Sequence, residues 1–138
     1  MTVPMETYPW LKALHVASAF LFIAGLVANG LILLAGRAAA DRIAPLAPIL
    51  GRWDRAVTVP AMLGVWACGI GLAVSDGWFA SGWLQAKLVV VVLLSALHGL
   101  QSGQIRRIAT ERRIAPLPLP ALVIPAVLAI AVLAVVKP

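Results

Sequence analysis

The chain has 138 residues, of which 62% are hydrophobic and 12% charged, with 11 Lys and Arg against 5 Asp and Glu for a formal net charge of +6. A mean hydropathy of +1.01 lies far outside the soluble range and excludes a water-soluble globular domain. At about 20 apolar residues per crossing, the length holds four membrane spans in a single domain over residues 1–138, with little left for any extramembrane unit.

The first apolar stretch runs from Pro9 to Gly36, with Tyr8 and Trp10 as interfacial anchors and Pro9 tolerated in a first helical turn. The N-terminal MTVPMETYPW has neither a cationic leader nor a small-residue cleavage site, so no removable signal peptide is expected. Arg37 to Arg55 reads as a short loop, with Arg37, Arg42, Arg52 and Arg55 against Asp41 and Asp54, in which Pro45 and Pro48 prevent a continuous helix. The second span is predicted over Ala56 to Ser75. A tight, nearly uncharged turn through Asp76, Gly77, Trp78, Ser81 and Gly82 then leads to Trp83, which anchors a third span reaching Ile105. A second basic loop carries Arg106, Arg107, Arg112 and Arg113 against Glu111, and a proline run at 116, 118 and 120 leads into a last span over Leu119 to Val136.

The arginines thus sit between apolar segments, where they set membrane orientation and meet lipid headgroups rather than nucleic acid. They place both loops in the cytoplasm and both termini outward. Short connections make neighbouring spans antiparallel, so the expected fold is all-α, an up-down-up-down four-helix transmembrane bundle. The lone Cys68 offers neither a disulfide nor a thiolate cluster.

At about 100° and 1.5 Å per residue, helical geometry then sorts the polar residues. His15, Ser18, Phe22 and Asn29 share one stripe of the first span, while Lys12 snorkels to the surface. Lys87, His98 and Gln101 share a face of the third span. Ala61, Gly64, Cys68, Gly71 and Ser75 form a stripe of small residues on the second, suited either to close helix packing or to a flat slot for a planar cofactor. An ionisable side chain inside a span costs roughly 2.5 kcal/mol or more when charged, which makes His15 and Lys87 functional candidates. His15 lies roughly 8 Å below Trp10 and Lys87 roughly 6 Å below Trp83, at one level near the outer face, whereas His98 lies roughly 22 Å down. The two histidines therefore do not clamp one iron. A neutral imidazole is the usual protein ligand of haem iron, and a haem b with His15 on the metal and Lys87 opposite it or on a propionate satisfies both costly groups. No acidic residue falls inside the predicted spans to pair with Lys87.

The chain resembles the HemJ-type protoporphyrinogen oxidases, small bacterial four-helix membrane proteins similar to the wider CopD-like group. The resemblance rests on WLKALHV at Trp10 to Val16, AGL at Ala24 to Leu26, VPAM at Val59 to Met62, WLQAKLVVVVLLSALHG at Trp83 to Gly99 with arginines just after, and VVKP at Val135 to Pro138. It implies a multi-pass protein of the bacterial inner membrane with haem b on His15, Lys87 essential for activity, and His98 as a further candidate cofactor contact. The implied reaction is the six-electron oxidation of protoporphyrinogen IX, or turnover of another tetrapyrrole, with electrons passed to the respiratory chain. After AGL the chain departs from the family, reading VANGLILLAGR where the family has aromatics and a Leu-Pro-Arg turn, and the paired histidines of the third helix are reduced to His98-Gly99. A non-enzymatic role as a small subunit of a larger respiratory or photosynthetic complex is the rival reading, with homo-oligomerisation equally open. Copper handling finds too few soft ligands at one level.

Overall fold

The computed structural model describes residues 4–111, 124–129 and 131–132. Helix α1 spans Tyr8–Ala38, and α2 (Ala40–Ile43), a 3₁₀ turn (Ala44–Leu46), α3 (Ala47–Trp53), a π-helical turn (Asp54–Thr58) and α4 (Val59–Asp76) follow as one nearly unbroken helical path. A 3₁₀ turn at Trp78–Ala80 leads into α5 (Gly82–Glu111). No strand occurs among the described residues. Three helical units, Tyr8–Ala38, Ala40–Asp76 and Gly82–Thr110, are long and apolar enough to cross a membrane.

Helix α1 begins with Pro9, whose missing N–H costs nothing in a first turn, and ends beside Arg37, which suits the negative end of the helix dipole. Gly77 closes α4 in the left-handed conformation (φ 67°), which a residue without Cβ adopts freely, and reverses the chain toward α5. At that reversal the Trp78 and Trp83 rings meet edge to face at 5.2 Å, and the Tyr8 hydroxyl donates to Asp76 at 3.1 Å, tying the start of α1 to the end of α4.

The segment from Arg37 to Arg55, expected as a loop broken by prolines, is instead helical. Pro45 opens the 3₁₀ turn and Pro48 opens α3, so each proline falls at an N-terminal position where no backbone donor is missed. They break the path into short pieces without unwinding it. Likewise Arg106 and Arg107 continue α5 rather than starting a loop. The rest of the second basic loop and most of the expected fourth span, Leu119 to Val136, lie outside the described residues; 124–129 are helical, and Ala126 and Val127 pack on the core.

That core is two apolar clusters. One joins Phe22 and Leu26 of α1 with Ala61 and Val65 of α4 and Leu94 and Leu97 of α5; the other joins Leu33, Ala47, Ile105 and Ile108 at the arginine-bearing end. Small residues let α1 and α4 approach closely. A Cβ on Gly64 would lie 2.5 Å from Ser18 Oγ, one on Gly71 would lie 3.3 Å from Leu11, and one on Gly25 would lie 2.4 Å from Thr58 Oγ1. Side chains of α1 fill the small-residue stripe of α4, so it serves helix packing rather than a flat cofactor slot.

Candidate functional site

Polar side chains gather at two levels of the bundle. At the turn-bearing end, His15 of α1 packs its ring against α4, where the Gly69 position would put a Cβ 3.0 Å from the imidazole Cε1, and the backbone of Val65 lies alongside. A side chain at 69 would press on the ring, which would have to shift by a few tenths of an ångström. The His15 Nδ1 atom is buried and has no hydrogen-bond partner among the described residues, the Val65 backbone being the polar group nearest the ring. From α5, Lys87 stands close enough for its charge to act on that imidazole, and its ammonium lies 4.6 Å above the Trp83 ring, a cation–π contact. His15 and Lys87 thus lie near enough for their charges to interact, with the His15 ring seated on α4 and the Lys87 ammonium over Trp83.

The second level lies at the arginine-bearing end and is built around a residue placed outside the spans on sequence grounds. Asp54 is 4% exposed, and its carboxylate receives three donors from two helices. Asn29 of α1 donates its amide to Oδ1 at 2.9 Å, His98 Nε2 of α5 meets the same oxygen at 2.9 Å, and the Ser102 hydroxyl donates to Oδ2 at 2.6 Å. Ser102 Oγ is also 3.3 Å from His98 Nε2. Three donors on one carboxyl group is an arrangement that the ionised form satisfies in full. Phe22 closes the site from above, its ring edge-on to His98 at 5.8 Å. Asn29 and His98 are each 3% exposed, so water reaches neither directly along α1.

The expectation that the spans contain no acidic residue is therefore corrected: Asp54 is buried inside the second helical unit, where the π turn carries it inward. Its partner is His98 rather than Lys87. The signal was present in the sequence, because Asp54, Thr58, Ala61, Val65, Cys68 and Leu72 recur at alternating spacings of four and three, and all six are buried. The flanking arginines, Arg52 and Arg55, hid it by making the stretch read as a loop.

The polar layer extends beyond these four side chains. Gln101 donates its amide to the Leu26 carbonyl at 3.1 Å, and Thr58 Oγ1, Gln101 Oε1 and Gln104 Nε2 are buried atoms with no partner among the described residues. Midway between the two levels, Trp66 Nε1 donates to Ser95 Oγ at 3.1 Å, linking α4 to α5. His15 abuts position 69 and His98 abuts position 54, so about 22 Å of helix separates the two imidazoles.

Two cavities open at the arginine-bearing end. One, of about 340 Å³, is bordered by Asp54, His98, Ser95 and Ser102 on the inside and by Arg55 and Arg106 at its rim. The other, of about 530 Å³, adjoins it through Gly51, Arg55, Ile105 and Arg106 and adds Arg52. Among the described residues, no group of three or more His, Cys, Asp or Glu side chains gathers to hold a metal ion. The residues at the turn-bearing end fit a haem in one respect: His15 offers an imidazole, the ligand type a haem iron takes, with its Nδ1 lacking a hydrogen-bond partner among the described residues and the Val65 backbone against the ring. Compared with known proteins, the chain matches no protein-family model, no curated protein and no solved structure.

Proposed function

We propose that the chain is a haem b-binding, multi-pass protein of the bacterial inner membrane, a four-helix bundle that oxidises protoporphyrinogen IX to protoporphyrin IX. The observation that supports this reading is an imidazole inside a membrane-length helix, His15, whose Nδ1 finds no hydrogen-bond partner among the described residues and whose ring feels the charge of Lys87. A buried polar atom without a partner is costly, about 1–3 kcal/mol, and an iron atom relieves that cost. A bound haem would supply a one-electron relay, with the six electrons and six protons of the oxidation passed on singly to the respiratory chain and to water. The protein's own part is to hold the iron by His15, to neutralise a carboxylate of the porphyrin or substrate with Lys87, and to exclude water through the tight contact between α1 and α4.

The test is the absorption spectrum of the detergent-purified protein. A Soret band is expected, lost in His15→Ala and retained in His98→Ala. Complementation of a strain lacking protoporphyrinogen oxidase then separates enzyme from carrier, with growth expected from the wild type and not from Lys87→Ala. A wild-type protein purified from haem-replete cells without a Soret band overturns the proposal.

A further inference from the structure

The site at the arginine-bearing end has parts that helix packing alone does not require. Asp54 and His98 lie in the bundle interior, yet both border a cavity that opens between α4 and α5 toward the arginine end. Asp54 and His98 are only 4% and 3% exposed, and the cavity of about 340 Å³ lies against them on the side of Arg55 and Arg106.

We propose that Asp54 and His98 form a proton-exchange site, which takes a single proton from water in the cavity between Arg55 and Arg106 and returns it there. The inference is independent of haem binding, since it concerns a different level of the bundle. With His98 as the imidazolium and Asp54 as the carboxylate, the Nε2–H bond breaks as an Oδ1–H bond forms, leaving neutral imidazole and neutral acid. The acid proton then passes to cavity water, and the reverse steps reload the pair. Ser102 is placed to assist, with its hydroxyl within hydrogen-bond distance of both the other carboxylate oxygen and the ring nitrogen.

The charges around the pair favour such exchange with one side only. From α1 the pair meets Asn29, which is neutral; from α5 it meets Ser102, and Arg106 at the cavity rim; the helical path from α3 to α4 contributes Arg55 beside Asp54, with Arg52 further out in the adjoining cavity. Residues 124–129 and 131–132 carry no ionisable side chain. When the pair has lost its proton and carries one negative charge, the two rim arginines face it with positive charge, which lowers the cost of an uncompensated buried carboxylate. On the other side, Phe22 and the cluster of Leu26, Leu94 and Leu97 separate the pair from the His15 level. The layer of Thr58, Gln101 and Gln104 has spare hydrogen-bonding atoms, a setting in which internal water is held.

The experiment follows the ring N–H of His98 by nitrogen-15 NMR of the full chain in lipid nanodiscs, where two histidines give two readily assigned sets of signals. Magnetisation transfer from water is expected to reach the His98 ring much faster than the backbone amides of α5 around it. Asp54→Asn removes the group that accepts the proton, and Gly99→Leu or Gly99→Trp fills the cavity wall at a position where an added Cβ meets nothing within 4 Å. Each change is expected to slow the exchange by about tenfold or more, with the amide spectrum retained. Exchange in the wild-type protein as slow as that of the neighbouring core amides overturns the proposal and leaves a structural clasp. So does fast exchange that neither Gly99 variant slows.

Discussion

With three donors on its two oxygens, the Asp54 carboxylate has no simple substitute. Asp54→Ala strands the Asn29 amide, the His98 ring and the Ser102 hydroxyl in the core, and loss of one partner of a buried pair costs about 3–5 kcal/mol. Asp54→Asn keeps the shape but turns one acceptor into a donor, so a loss of about 1–3 kcal/mol is expected. Denaturant unfolding in detergent, followed by helical circular dichroism, orders the two variants. Replacing both partners, Asp54→Leu with His98→Leu, is expected to recover much of the stability lost in Asp54→Ala, because no buried charge remains unpaired. At this scale the sequence was informative about which helix faces carry polarity: Ser18, Phe22 and Asn29 are all buried as their spacing implies. It concealed Asp54, because an acidic residue between two arginines has the local composition of a solvated loop, and only its phase with Thr58 and Ala61 betrays the inward face.

Among the elements, the contact between α1 and α4 is governed by absent methyl groups. Gly25→Ala would drive a carbon to 2.4 Å from Thr58 Oγ1 and 2.5 Å from its Cγ2, and overpacking of this kind costs about 1–3 kcal/mol. The double variant with Thr58→Ala removes both offending atoms and is expected to restore most of the midpoint in the same unfolding assay. The π turn at Asp54–Thr58 lends itself to a sharper test. Its extra residue sets the phase between α3 and α4. Deleting Ala56 removes the extra residue and leaves a regular α turn, whereas inserting an alanine after Ala56 adds a further turn of about 100° and swings Asp54 out of the cluster. The insertion is expected to destabilise at least as much as Asp54→Ala, whereas Ala56→Leu at this exposed position changes little. The three long apolar helices and the Gly77 turn were legible from hydropathy and punctuation, whereas the ends at the arginine side were not: α5 runs past Ile105 to Glu111 and the second unit starts at Ala40. The helical nature of the stretch from Arg37 to Arg55 was not, because two prolines usually end helices and here each falls at the start of a new short one.

For the molecule as a whole, outward-facing apolar side chains decide its environment. Phe20, Leu31, Leu63, Val89 and Leu93 are each more than half exposed or near it on the three long helical units, with Phe20 at 72% and Leu93 at 61%. Faces of this kind are covered by lipid chains, and the protein is expected to stay in the membrane pellet after alkaline carbonate washing, whereas release into the supernatant would contradict a spanning arrangement. The buried pairing between positions 54 and 98 also bears on how the protein is made. During synthesis the second hydrophobic unit enters the translocation machinery carrying a carboxylate whose counter-group is not translated until 44 residues later. A charge at the centre of an inserting helix costs about 2.5–3.5 kcal/mol, and Asp54, nearer the arginine-bearing end, costs less than that. The second unit is therefore expected to insert more completely when the third follows it than when the chain is truncated before Gly82, a difference that glycosylation mapping of the inserted segments would read.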